Sequence, residues 1–314
     1  MKSGQALVAA IDIGGTKIAG ALVGAHDGVL HRRTERPTPA KADGEVVLGV
    51  VAAVLAELAG GPDWARVALV GLGSAGPVDA VHGTVSPVNI PGWRDFPVVA
   101  RVRELAGGRP VVLTGDGVAM TAAEHWLGAA RGFDNALCMV VSTGVGGGLV
   151  LGGSLYPGPS GNAGHIGHIS VDLDGDPCPC GGRGCLEGLA SGTAIDRHAR
   201  AAGWRPDPAD GQGAAAVAVA ARAGDPRALA AFGRAGQALA AGIAATATLV
   251  ELDVVVIGGG VAQAGELLFG PLRVQLAQYA TLSYVRGLRV RPAELATDAG
   301  LVGAAAAALR VAGA

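Results

Sequence analysis

Twice along this chain a short apolar run ends in a glycine turn and a second apolar run follows at once. Residues 6–13 (ALVAAIDI) enter Gly14, Gly15 and Thr16 and continue as residues 17–23 (KIAGALV). Residues 136–142 (ALCMVVS) enter a glycine turn over 143–148 and return over 148–151. Runs of this length, bounded by glycine and rich in Val, Ile and Ala, read as buried strands, so each pair is a strand-turn-strand hairpin. Around them strands alternate with helical periodicity: helix over 44–58, strands over 67–73 and 111–114, helices over 192–201, 213–223 and 226–250, then a strand over 252–257 that stops at Gly258, Gly259 and Gly260. Proline and glycine around 203–213 mark an exposed helix connection. This pattern predicts an α/β chain of two similar lobes with a cleft between them. The last segment, 299–311, is an Ala/Leu helix that could return to pack on the first lobe.

At roughly 150 residues per domain, 314 residues suffice for two domains. Half the residues are apolar, 16% are charged and only 4% aromatic, so the core must be built from Ala, Val and Leu packed around 53 glycines. A net charge of -2 gives no basic field for nucleic acid or an anionic membrane and suits a small neutral or anionic ligand. The longest uncharged stretch, 135–164, is broken by glycine and proline, and the apolar run 235–250 has only 16 residues, so neither is expected to span a bilayer. The start, Met-Lys-Ser-Gly-Gln, enters a strand without an apolar signal region, which predicts a cytoplasmic protein. Cys138 stands alone, whereas Cys178, Cys180 and Cys185 lie within eight residues, a spacing that in a reducing compartment reads as metal ligation.

Asp12 precedes Gly14, Gly15, Thr16 and Lys17, so backbone N–H groups can approach a phosphate while the carboxylate stands near its Mg²⁺; an ordinary tight hairpin turn has the same appearance. The spacing is not that of a Walker A loop. Thr143, Gly144 and Gly146 repeat the logic, and Gly258, Gly259 and Gly260 give a third strand-end turn, although glycine-rich composition alone can produce such a set. The three thiols sit on a glycine-bent loop (CPCGGRGC) where one imidazole, His168 or His165, would complete a tetrahedral zinc site. Such a site is closed and structural, holding its loop rigid. Asp116 follows a strand and precedes a helical stretch, where an aspartate is commonly an N-cap. Glu187 and Glu124 read locally as surface or cap carboxylates.

Together these residues resemble the ROK family of sugar kinases, within the ribonuclease H-like, actin-like ATPase group. DIGGTK at 12–17 is similar to the family's first phosphate loop, and the stretch from Val141 through Thr143 and Gly148 to Gly158, Gly164, Gly167 and His168 follows its signature spacing. GPVD at 76–79, NIPGW at 89–93, the cysteine knuckle, Gly258 to Gly260 and DAGLVG at 298–303 resemble further family elements. The resemblance implies a two-lobed fold with a zinc-binding loop, a small lobe of 1–115 rejoined by 298–314, and a large lobe of 116–297. It also implies transfer of the γ-phosphoryl of ATP, with Mg²⁺, to the 6-OH of a hexose, in a cytoplasmic homodimer without nucleic-acid or membrane partners.

In that resemblance Asp116 is the general base rather than a cap. Asp12, Gly14, Gly15, Thr16, Lys17, Thr143, Gly144, Gly146 and Gly258 to Gly260 surround the nucleotide. His168, Cys178, Cys180 and Cys185 hold zinc, and the second ring nitrogen of His168 points at a sugar hydroxyl. Gly76, Gly115, His165 and Glu187 complete the sugar site, which closes on binding to exclude water. Two positions depart from the family pattern: Gly115 stands where asparagine usually precedes the aspartate, and His165 replaces the glutamate of Glu-x-Gly-His. An imidazole can donate or accept where a carboxylate only accepts, and one lost polar contact can shift discrimination by orders of magnitude. The alternatives to glucose are therefore an amino sugar, an N-acyl hexosamine, a rarer hexose or a cyclitol. A sugar sensor without catalysis is a further one. A repressor would need a DNA-binding segment ahead of Asp12.

Overall fold

The computed structural model of the chain describes residues 6–207 and 210–313; the sequence expectations for residues 1–5, 208, 209 and 314 lie outside them. The contacts divide the chain into two units, one of residues up to 131 with 155–164 and from 297 onward, the other of 132–154 and 165–296.

The first unit begins with β1 (Leu7–Ile13), β2 (Lys17–Gly24), β3 (Leu30–Pro37) and α1 (Gly44–Ala59). It continues with β4 (Val67–Ser74), the short pair β5 (Val78–Asp79) and β6 (Thr84–Val85), α2 (Val98–Leu105), β7 (Val111–Gly115) and α3 (Asp116–Leu127). The sheet order is β3-β2-β1-β4-β7. β1 runs antiparallel to β2 and parallel to β4, which runs parallel to β7. Side chains alternate across β1: Leu7, Ala9, Ile11 and Ile13 pack with Val47, Val51 and Leu55 of α1, while Val8 and Ala10 face the other layer. α1 starts where the Asp43 carboxylate accepts the Glu45 N–H at 2.9 Å.

The second unit begins with β8 (Ala136–Val141), β9 (Val145–Leu151) and, at its edge, β10 (Ser154–Tyr156). Its helices are α4 (Glu187–Ala190), α5 (Gly192–Ala201), α6 (Gly213–Arg222) and α7 (Pro226–Val250), followed by β11 (Val254–Gly258), α8 (Glu266–Tyr279) and β12 (Arg289–Pro292). The chain then returns to the first unit as α9 (Ala299–Gly313), where Leu301, Ala304, Ala305 and Ala308 cover Val8, Ala10, Ala21 and Val23. The second sheet has the order β10-β9-β8-β11-β12, with β8 antiparallel to β9 and parallel to β11. It repeats the first sheet strand for strand.

Three expectations need correction. The boundary expected after Gly115 lies after Arg131, because α3 packs on α9: a Cβ on Gly303 would strike the carbonyl of Ala119, so the helices meet backbone to backbone. Residues 155–164 also join the first unit, where the Asn162 amide hydrogen-bonds both Val78 N–H, at 3.1 Å, and Val78 C=O, at 2.6 Å. The glycine turn expected over 143–148 is shorter, since Gly146, Gly147 and Gly148 are strand residues opposite Val140, Met139 and Cys138. Finally, the apolar run expected to be too short for a membrane belongs to α7, whose 25 residues are long and apolar enough to cross one. α7 is instead a core helix, with Phe232, Leu239 and Ile243 fully buried; each such side chain contributes about 1.5–3 kcal/mol. Asp225 caps its start and Glu251, at φ 49°, ends it.

Candidate active site

In a parallel sheet the strand ends gather along one edge, and ligands bind outside the carboxyl ends. The registers place Asp12 opposite Gly73, and Gly73 opposite Thr114, one residue before Gly115 and two before Asp116. Gly115, not Asp116, is the N-cap of α3, and Asp116 is exposed at the first helical residue. Asp116 Oδ1 accepts the Gly117 N–H at 2.7 Å. Burial and then the Asp116 charge push the Asp12 carboxyl up to about 6, with Lys17 opposing. A carboxylate raised by a neighbouring carboxylate in this way suits a divalent cation, which relieves the repulsion.

The turn after β1 is held by Gly14 N–H to Lys17 C=O at 3.0 Å and by the Thr38 hydroxyl on Gly14 C=O at 2.7 Å. Thr16 and Lys17 are exposed, and the Lys17 ammonium lies 3.1 Å from Glu35 of β3. A Cβ on Gly15 would meet the Asn89 amide at 2.6 Å, so a polar side chain leans on the turn. On the same unit Gly76 precedes Pro77 in a cis bond, and a Cβ on Gly115 would touch only Gly161 C=O at 3.8 Å and Val78 at 4.0 Å.

The second unit contains a cavity of about 730 Å³ lined in part by Thr143, Gly192, Thr193, Ala214, Phe232 and Gly260. It lies at the carboxyl ends of β8 and β11, has the size of a small-ligand site, and is mainly apolar with a few polar groups. Gly259 takes φ 91°, and a Cβ there would collide with the Val141 carbonyl, which explains glycine at that position. Gly258 is buried at the end of β11. Gly144 is in the turn, and Gly146 is in β9.

Beside this cavity His168, Cys178, Cys180 and Cys185 bring one ligand atom each to within 4.8 Å of one another. A tetrahedral ion bonded to sulfur at about 2.3 Å separates two thiolates by about 3.8 Å. Cys180 and Cys185 sulfurs are 3.7 Å apart and Cys178 Sγ is 3.8 Å from His168 Nδ1, so the donors fit zinc. His165 is not in the set; its ring lies parallel to that of His168 at 6.3 Å. Buried among the other thiols, the Cys185 thiol is pushed up to about 12, whereas the Gly182 N–H lowers that of Cys180. Glu187, two residues after Cys185, accepts the Val145 N–H at 2.8 Å.

A model of the ROK family matches residues 8–311. The chain belongs to the ROK family. This ROK chain is 36% identical over 310 residues to a glucokinase of Thermotoga maritima, covering 94% of the chain and 95% of the relative. It is 37% identical over 296 residues to an N-acetylmannosamine kinase of Yersinia pseudotuberculosis, covering 94% and 96%. Among solved structures, a ROK glucokinase of Streptomyces griseus in complex with glucose and AMPPNP superposes with a TM-score of 0.80 at 34% identity, covering 95% of this chain and 98% of that one. The two-sheet α/β architecture is thus that of ROK kinases.

Sequence reasoning missed Asn89 as a neighbour of the first turn, Thr193 as a wall of the cavity, and Gly300, where a Cβ would meet Asp12 Cγ at 2.7 Å. The Ser191-Gly192-Thr193 step at the start of α5 was a usable signal for the second: the Ser191 hydroxyl caps α5 by accepting the Ala194 N–H at 3.2 Å. Asn89 and Gly300 lie in the NIPGW and DAGLVG elements, but nothing in those elements says which turn or carboxylate they approach.

Proposed function

We propose that this protein is an ATP-dependent hexose kinase, glucokinase-like, which moves the γ-phosphoryl of ATP to the 6-hydroxyl of its sugar. The observation that carries the reading is the placement of two carboxylates, Asp12 and Asp116, at neighbouring strand ends of the first unit, close enough for the Asp116 charge to raise Asp12. Asp12 serves Mg²⁺, and Asp116 takes the proton as the hydroxyl oxygen forms its bond to phosphorus and ADP leaves. The backbone groups of residues 14–17 neutralise phosphate charge, and the cavity beside Thr143, Gly144 and Gly260 receives the nucleotide. His168 and Glu187 take sugar hydroxyls, while Gly76, Gly115 and His165 shape the remainder of the acceptor site. Zinc held by His168, Cys178, Cys180 and Cys185 supplies structure, fixing the loop that carries these groups.

A second acceptor class has a specific basis. Gly115 offers no side chain at its position and His165 offers an imidazole that can donate or accept, and each departure suits a differently bonded polyol, such as an N-acyl hexosamine, an amino sugar, a rare hexose or a cyclitol. We also infer a cytoplasmic homodimer; the free cysteines suit a reducing compartment, and sedimentation tests the dimer.

The deciding measurement is ADP release from Mg-ATP across glucose, mannose, allose, glucosamine, N-acetylglucosamine, N-acetylmannosamine and cyclitols. Turnover of glucose, falling by about 10²–10⁴-fold in Asp116→Asn, is expected. Turnover of another member alone moves the assignment to that acceptor. Equal turnover by Asp116→Asn overturns the role given to Asp116, and no turnover with any member overturns the kinase reading.

A further inference from the structure

Within the second unit, the turn between β8 and β9 is stapled to the segment that leaves the cysteine knuckle by three hydrogen bonds. Gly192 N–H donates to Ser142 C=O at 2.7 Å, and the Thr193 hydroxyl donates to Thr143 C=O at 3.0 Å. The third is Val145 N–H to Glu187 Oε2 at 2.8 Å, the only one of these that uses a charged side chain. Gly144 makes it possible: a Cβ there would stand 2.5 Å from Glu187 Oε2 and 3.4 Å from its Cδ. The missing side chain therefore seats a carboxylate, whatever else it allows at a phosphate. The first unit shows the same device with the Asn89 amide against Gly15.

We infer that Glu187 is a positioning residue for the nucleotide-side turn as well as a ligand for the acceptor. One oxygen is committed to Val145, which leaves Oε1 to take a sugar hydroxyl. Pull on one oxygen moves the other, so the acceptor and the turn are joined through a single carboxylate on the first residue of α4. This inference rests on the kinase reading above, which supplies the two ligands.

The test is titration of Mg-AMPPNP into the zinc-replete full-length protein in the absence of any sugar, followed by KM values for both substrates. Glu187→Ala is expected to bind AMPPNP about tenfold more weakly, since a charged acceptor of a backbone N–H is removed. Glu187→Gln keeps an oxygen for Val145, so its AMPPNP affinity should stay within about threefold of the wild type while its sugar KM rises. Gly144→Ala displaces the carboxylate and should raise the sugar KM, although it lies in the nucleotide turn. Wild-type AMPPNP affinity in Glu187→Ala, or an unchanged sugar KM in Gly144→Ala, overturns the inference. If Glu187→Ala does not fold, the other two variants decide it. Wild-type protein that binds AMPPNP but turns over no sugar refutes the kinase reading instead, and the titration still reports on the tie.

Discussion

Asp12 shows what a single buried carboxylate costs the fold. Burial first, and the Asp116 charge second, raise it from the ordinary 3.8 to about 6. The folded protein therefore keeps this proton up to about pH 6, whereas the unfolded chain releases it near 3.8. Stability is lost as pH rises between those values, and the full cost stands above them. Asp12→Asn removes the charge at nearly constant volume. Without added Mg²⁺ it is expected to raise Tm at pH 8, with the gain vanishing near pH 4, while kinase turnover is abolished. Thermal melts at the two pH values check this, and an equal gain at both would disprove the burial argument. The strand-end position of Asp12 was legible because a carboxylate beside glycine carries a mark in the sequence, whereas Asp116 read locally as a cap and was singled out only by the family resemblance. The approach of Asn89 to Gly15 was not legible, because an exposed polar loop residue follows no period even within a quoted element; only folding brings the two together.

At the scale of elements, the buried strands were readable and the edges were not. β1, β4, β8 and β11 are continuous Val, Ile, Leu and Ala runs. β3 (LHRRTERP) and β12 (RVRP) are the charged edges of their sheets, and nothing in their composition distinguishes them from loops. α8 was hidden by Pro271 inside it. The knuckle was the opposite case, since three cysteines in so short a span admit few readings. Its backbone ties it inward: Leu186 N–H donates to Ile169 C=O at 3.0 Å, and the chain from Cys185 reaches Glu187 and Ser191 within six residues. Metal loss should therefore be felt at the turn between β8 and β9 as well as at the knuckle. Chelation is expected to lower Tm by at least about 5 °C, the effect of some 2 kcal/mol in a body of this size, and to weaken AMPPNP binding. Zinc should restore both. A chelated protein with unchanged Tm would show that the four donors hold no structural ion.

The whole molecule is the same five-stranded order built twice, and the two hairpins at 6–23 and 136–151 carry that duplication in the sequence itself. What the hairpins do not reveal is how the first unit is completed. Its second layer is α9, separated from β1 by almost the full chain, and the contact demands small residues on both sides. A Cβ on Gly71 of β4 would strike the carbonyl of Ala304, and Gly303 lies equally tight on Ala119 of α3. Alanine and glycine carry a weak periodic signal, so both α9 and α3 were legible as helices but their packing against each other was not, which is why the sequence boundary fell too early. The first unit is thus discontinuous, whereas the second closes its core from 132–154 and 165–296 alone. Removing residues 297–314 uncovers Val8, Ala10, Ala21, Val23 and Leu69 and strips α3 of its cover. The truncated chain is expected to lose protection in β1 and β4 by hydrogen exchange, and to retain protection in β8 and β11 with one zinc per chain. Loss of both sets together would mean that the second unit cannot hold its fold without the first, and retention of both would mean that α9 is dispensable to the sheet it covers.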